Sequence, residues 1–318
     1  MHLRCSPRCV RALGAAAVLF ATLWLVAGTA PAAEPVNLAA GGPSPDDLEE
    51  IARDAELSLL WREGVDLERR EDLEESAGRY EAIAERLPDS AAIRWRIARN
   101  YWRHAEGLPV DDKAGRMHYF GLADEWADRS LALDADCAAC VLWKLAAKGR
   151  LATTGGVMTQ LGAASEIAEM IDRGIALHPT HVDEGGWNST LGNLYYAGAA
   201  FYRIVPEWFW LKWVIGVRGD KERSLDYIRR ALAITEGRVD YQVEYGAVLL
   251  CLGTDRDEPT RIAEGREVLE KAMHVELLKR TDALDVEHAR ILYANPERAC
   301  GYSRDGWIDL SQARTHTH

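Results

Sequence analysis

From Asp46 onward, apolar positions recur every three or four residues, the spacing of one face of an α-helix, and the pattern continues almost to the end of the chain. Alternating apolar and polar positions, the mark of a strand, are scarce. Interruptions rich in Gly, Pro or Asp fall near 88–90, 107–115, 134–137, 153–156, 178–186, 218–220, 235–240 and 253–259. They divide the pattern into helices of about 12–18 residues joined by short turns, which predicts a run of αα-hairpins. Ser44-Pro45-Asp46-Asp47 is a good first helix start, because proline suits the first turn and acids complement the helix dipole. Residues 33–45 read as a flexible leader.

The hairpins repeat. Ala77, Tyr80 and Ile83 lead into Leu87-Pro88-Asp89; Ala123, Ala127 and Ser130 lead into Leu131-Ala132-Leu133-Asp134. Gly174-Ile175-Ala176-Leu177-His178-Pro179 is a third such helix ending. Ser224, Ile228 and Ala231 give a fourth, and Gly265, Leu269 and Ala272 a fifth. Matching first helices are marked by Ile97-Ala98-x-x-Tyr101, Leu191-Gly192-x-x-Tyr195 and Tyr245-Gly246. A small residue at each crossing lets two backbones approach, while Tyr and Leu fill the adjoining groove. These are features of the tetratricopeptide unit of about 34 residues. The helix endings at Pro88, Asp134 and Pro179 are about 45 residues apart, so insertions are expected near 105–118 and 150–165, with a longer one between Tyr196 and Gly219. The fold class is all-α: an irregular tetratricopeptide-like α-solenoid of stacked helix hairpins over residues 46–298, with 299–318 as a C-terminal tail.

The order Cys140-x-x-Trp143, Ile175 to Pro179, Trp187-x-x-x-Leu191-Gly192, the aromatic run to Trp213 and Ala231 to Ile234 resembles the regulator of microtubule dynamics proteins and their bacterial relatives. It also resembles the T component of tripartite ATP-independent periplasmic (TRAP) transporters. The resemblance covers roughly residues 75–275. The second likeness implies a repeat fold enclosing an apolar pore and associating with a periplasmic solute-binding protein.

The N-terminus adds a compartment. Arg4, Arg8 and Arg11 precede an uncharged, Ala/Leu/Val-rich run from Ala12 to Ala30, and Ala30-Pro31-Ala32 offers small residues for cleavage. Residues 1–32 therefore read as a signal peptide, with an uncleaved inner-membrane anchor as the alternative. Either outcome puts the body outside the cytoplasm, periplasmic or secreted. No cysteine follows the apolar run. The chain carries 28% charged residues and a net charge of −12; loss of residues 1–32 would remove three arginines and no acid and leave −15. Such an acidic chain without a basic cluster is repelled by phosphate backbones, so nucleic acid is not an expected partner.

The eleven tryptophans must be buried or used in binding. Three of them, Trp208, Trp210 and Trp213, fall with other aromatics in the stretch from Phe201 to Ile215. Read as a helix, Phe201, Val205, Trp208 and Phe209 share one face, and Trp210, Trp213, Val214 and Val217 another. A helix apolar on more than one face is buried, or meets something besides its own core. Three readings follow: a hairpin sealing the gap between repeats, a ligand pocket, pore or partner groove, and insertion into a membrane surface. Phe201, Tyr202, Trp208, Phe209, Trp210 and Trp213 are the candidate binding residues.

Cys137 and Cys140 begin a helix after Asp134-Ala135-Asp136. They suit a local disulfide, two buried thiols, or a redox or metal site. Cys251 lies on an apolar helix and reads as a buried free thiol, with a bridge to Cys300 as the alternative. His178 and His181 with Asp183 and Glu184 read as solvated turn residues rather than metal ligands, and His316 and His318 as a disordered tail. No phosphate loop, nucleophile elbow or His-Glu-x-x-His helix is present. No enzymatic activity, cofactor or metal is expected. The favoured function is an exported scaffold for protein–protein interaction. The alternative is an accessory of a solute transporter holding an apolar small molecule. Membrane contact is expected only if the N-terminal segment stays attached.

Overall fold

The computed structural model describes residues 45–155, 157–182, 188–277, 281–304 and 306–307. The signal peptide, nearly all of the leader, Asp183, Glu184 and the tail from residue 308 lie outside the described residues.

Side-chain caps and prolines set the element boundaries. Asp54 separates α1 (Pro45–Arg53) from α2 (Ala55–Arg69) and accepts hydrogen bonds from the amides of Glu56 and Leu57. Helix α3 (Leu73–Arg86) stops before Leu87-Pro88, since a residue preceding proline is driven out of the helical region. Ser90 then caps α4 (Ala91–Gly107), and Asp112 caps α5 (Lys113–Leu133). Helices α6 (Ala138–Gly155) and α7 (Val157–Ala176) follow, and the chain leaves α7 toward Pro179. Ser189 caps α8 (Thr190–Ile204). The short α9 (Leu211–Ile215) precedes α10 (Lys221–Ile234), which Asp220 caps. Helices α11 (Val239–Asp255), α12 (Pro259–Ala272) and α13 (Asp282–Ala294) complete the series. The described residues close with a 3-10 turn, Pro296–Gly301, and an antiparallel pair of two-residue strands, β1 (Tyr302–Ser303) and β2 (Gly306–Trp307).

Five helix pairs stack in order: α2 with α3, α4 with α5, α6 with α7, α8 with α10, and α11 with α12. The second helix of each pair packs against the first helix of the next, and α13 covers α11 and α12. The five predicted helix endings are those of α3, α5, α7, α10 and α12. The core runs through the stack as clusters around Tyr80 and Ile97, around Cys140 and Ile171, around Ile228 and Leu249, and around Leu250 and Leu269. Close crossings need small residues: a Cβ on Gly246 of α11 would lie 2.5 Å from Leu269 Cγ of α12. Serines add polar ties at other crossings. Ser76 of α3 donates to the Gly64 carbonyl of α2, Ser130 of α5 to Ala91 of α4, and Ser224 of α10 to Ala199 of α8.

The expected insertions take a helical form, and the expected tail boundary moves. Helices α3, α10 and α12 have 14 residues each, whereas α5 and α7 have 21 and 20. The first two expected insertions are thus taken up largely as about two extra helical turns. The tail boundary at residue 299 also moves. Ala299, Gly301, Tyr302 and Ser303 are buried, so the helical domain continues through a closing segment at its C-terminal end.

Candidate interaction site around the aromatic segment

The stretch from Phe201 to Ile215 is not one helix. Pro206 has no amide hydrogen to donate and forces Val205 into extended backbone, so α8 ends at Ile204. The break divides the six candidate residues into two groups. Tyr202 is buried with Ala164, Ala168 and Val217, and Phe201 packs beside it. The Tyr202 hydroxyl accepts a hydrogen bond from Arg223 Nη1 at 2.7 Å, and that guanidinium lies over its ring. These two residues seal α7, α8 and α10 together.

Trp208 and Trp210 stack on one another with centroids 5.3 Å apart and are half-buried. Phe209, Trp213 and Val214 project into solvent at 75%, 88% and 70% exposure. The side chains expected to line a pore or pocket therefore divide between core, a stacked pair and open surface. Pro206 was the available signal for the break.

The base of this loop is firmly held. Leu211 is buried, and the Gly219 amide donates to the Pro206 carbonyl at 2.9 Å. Gly219 is required there, because a Cβ would lie 1.8 Å from the Val205 carbonyl oxygen. Glu207 receives the Lys221 amide at 2.8 Å and its ammonium at 3.3 Å.

The four cysteines among the described residues form two disulfides, Cys137–Cys140 and Cys251–Cys300. The reading of Cys251 as a free thiol is corrected: it sits on the apolar face of α11, where the closing segment brings Cys300 against it. Asp255 lies beside this bridge and pairs with Lys221 at 2.7 Å. His181, expected in a solvated turn, is instead buried against Trp95, with ring centroids 5.9 Å apart. The recess around these two rings, also lined by Leu142, Trp143 and Thr190, has no space for a water molecule.

Local patterns gave no sign of the buried ionic groups along α4, α8, α11 and α13. Arg203 is fully buried and forms a bidentate pair with Glu244, at 2.7 and 2.8 Å. Its remaining nitrogen donates to the carbonyls of Ala299 and Cys300 in the closing segment. Arg304 joins Asp285 at 2.6 and 2.8 Å and reaches Glu106 of α4 at 3.1 Å. Glu106 also meets Arg116 and Arg150. Burial, with Asp240 and Asp282 adding to it, raises the Asp285 carboxyl to about 6 even though Arg304 acts in the opposite direction.

The family described as Regulator of microtubule dynamics protein 1-3 matches residues 64–200. The matched stretch begins within α2 and ends within α8, so the chain is a helical-repeat protein that resembles this family across its first three pairs. The segment from Pro206 to Val214 and the closing segment lie beyond the match. No curated protein matches the chain.

Proposed function

We propose that this protein is an exported helical-repeat scaffold that binds another protein and has no chemistry of its own. The observation that carries this reading is how the buried charges are used. Arg99 meets Glu68, Lys144 meets Asp124 and Asp128, Arg203 meets Glu244, Arg238 meets Asp240, and Arg304 meets Asp285. Arg99, Lys144 and Arg203 each join one helix to another, Arg238 holds the start of its own helix α11, and Arg304 ties the closing segment to α13 and α4. A stack of pairs held this way offers long outer helix surfaces, the property that repeat proteins use to bind other proteins. Export is supported by the N-terminal pattern of arginines and apolar run, and by two disulfides, which persist in oxidising compartments. The transport alternative is less favoured, because Phe209 and Trp213 face solvent instead of lining a passage.

Cross-linking in intact cells followed by purification tests the proposal. The expected result is one protein joined in constant proportion, with cross-links on helices of residues 64–200, recovered from the extracytoplasmic fraction. Protein that carries an apolar small molecule and no cross-linked partner would replace scaffold by ligand carrier. Recovery of the folded chain from the cytosol would remove the export step.

A further inference from the structure

Phe209, Trp213 and Val214 lie within six residues of one another and are 75%, 88% and 70% exposed. The other exposed large apolar side chains among the described residues, such as Leu59, Leu133 and Leu277, reach at most 53% and lie scattered along the chain. Single exposed apolar residues are ordinary, but three together on a held loop leave apolar area in water that only an occupant would remove.

The charges around them suggest what the occupant is. Residues 208–219 contain no acid, and Lys212 and Arg218 are both exposed. The nearest carboxylate on the N-terminal side, Glu207, is engaged by Lys221, and Asp220 on the other side caps α10. In a chain of net charge −12, this loop is locally basic. Tryptophan and phenylalanine favour the boundary between lipid headgroups and acyl chains, and lysine and arginine beside them are drawn to anionic headgroups. We propose that the tip of this loop docks the protein on an anionic lipid surface, with Phe209, Trp213 and Val214 entering the headgroup boundary and Lys212 and Arg218 facing lipid phosphate. A protein partner for the same side chains would be expected to bring carboxylates against Lys212 and Arg218, and it is the competing outcome of the test.

The loop is suited to this by its base. Leu211 and Val217 anchor it in the core, the Gly219–Pro206 hydrogen bond closes it, and Gly216 takes the left-handed conformation at φ 78°. The apolar tip is thus presented without unfolding any helix. This contact is separate from any protein bound by the repeat array.

Hydrogen exchange of the full chain, read by mass spectrometry, tests the proposal locally, so binding through the N-terminal apolar run does not confuse it. Vesicles of mixed phosphatidylglycerol and phosphatidylethanolamine should slow exchange in residues 208–218, and neutral phosphatidylcholine vesicles should do so much less. The double variant Phe209→Ser, Trp213→Ser should lose that protection while α4 and α11 exchange as before, which shows that it remains folded. Equal exchange with and without anionic vesicles would overturn the proposal, as would equal protection by neutral vesicles. Protection of 208–218 by a protein cross-linked at Trp213, with none from vesicles, would assign the loop to that protein instead.

Discussion

Arg203 has no exposed atoms to speak of, and it donates four hydrogen bonds in two directions. Glu244 takes two of them, and the carbonyls of Ala299 and Cys300 take more. Removing one member of such a pair leaves the other buried and unpaired, which typically costs about 3–5 kcal/mol, whereas replacing both with apolar residues of similar size is often close to neutral. Arg203→Met is therefore expected to lose roughly that amount in urea unfolding, and Arg203→Met combined with Glu244→Leu to recover much of it. A double variant no more stable than the single one would show that the closing segment, not Glu244, accounts for the loss. Asp285 gives a pH prediction of definite sign. Its carboxyl titrates at about 6 in the folded chain against an ordinary 3.8, so the folded state holds a proton that the unfolded state has released between those values. The stability contributed by that proton is complete below the ordinary value and is lost as pH rises through about 6. The stability of the native chain relative to Asp285→Asn should fall from pH 4.5 to 7, and NMR titration of the carboxyl should show a midpoint near 6. A midpoint at or below the ordinary value would reject the assignment.

At the scale of elements, the two disulfides should contribute unequally. Cys251–Cys300 closes a separation of 49 residues and Cys137–Cys140 one of 3. Loop-closure entropy gives about 4 kcal/mol for the first and less than about 2 kcal/mol for the second. Paired Cys→Ser variants measured by urea unfolding should keep that order, and equal losses would mean that Cys137–Cys140 acts through packing in its own helix. The difference between local and distant information also explains what the sequence revealed. Helix ends were legible where proline, aspartate or serine acts within a few residues, as at Ser90, Pro179 and Pro259. The pairing of helices was legible because Gly246 and its counterparts must be small. Cys251 was misread because the apolar face of α11 looks the same from sequence whether a helix or the closing segment covers it. The aromatic stretch was misread as one helix because apolar spacing was followed past Pro206, where backbone chemistry decides. The solvent exposure of Trp213 had no local signature at all, since an exposed and a buried tryptophan at helical spacing read alike.

In a stack whose pairs touch only their neighbours, stability is a sum of local terms and the two ends can unfold separately. The contacts of the closing segment depart from that rule, and that of Arg304 reaches furthest. Arg304 follows α13, yet its guanidinium bridges Asp285 of α13, 19 positions back, and Glu106 of α4, 198 positions back in sequence. Unfolding either end must break a buried ion pair, which couples the two. The placement of tryptophan makes the coupling measurable: Trp61, Trp95, Trp102, Trp126 and Trp143 report on α2 to α6, whereas α11, α12 and α13 contain none. For the native chain, urea unfolding followed by tryptophan fluorescence and by far-UV circular dichroism should give coincident midpoints. In Arg304→Met, combined with Trp307→Phe so that the closing segment carries no tryptophan, the two curves should separate, because circular dichroism alone would then register loss of the last three helices. The separation should shrink as pH falls toward 5, where Asp285 takes up a proton and no longer needs the arginine. Coincident curves for the variant at neutral pH would show that helix-to-helix packing alone makes the array cooperative and that the Arg304 bridge is incidental to it.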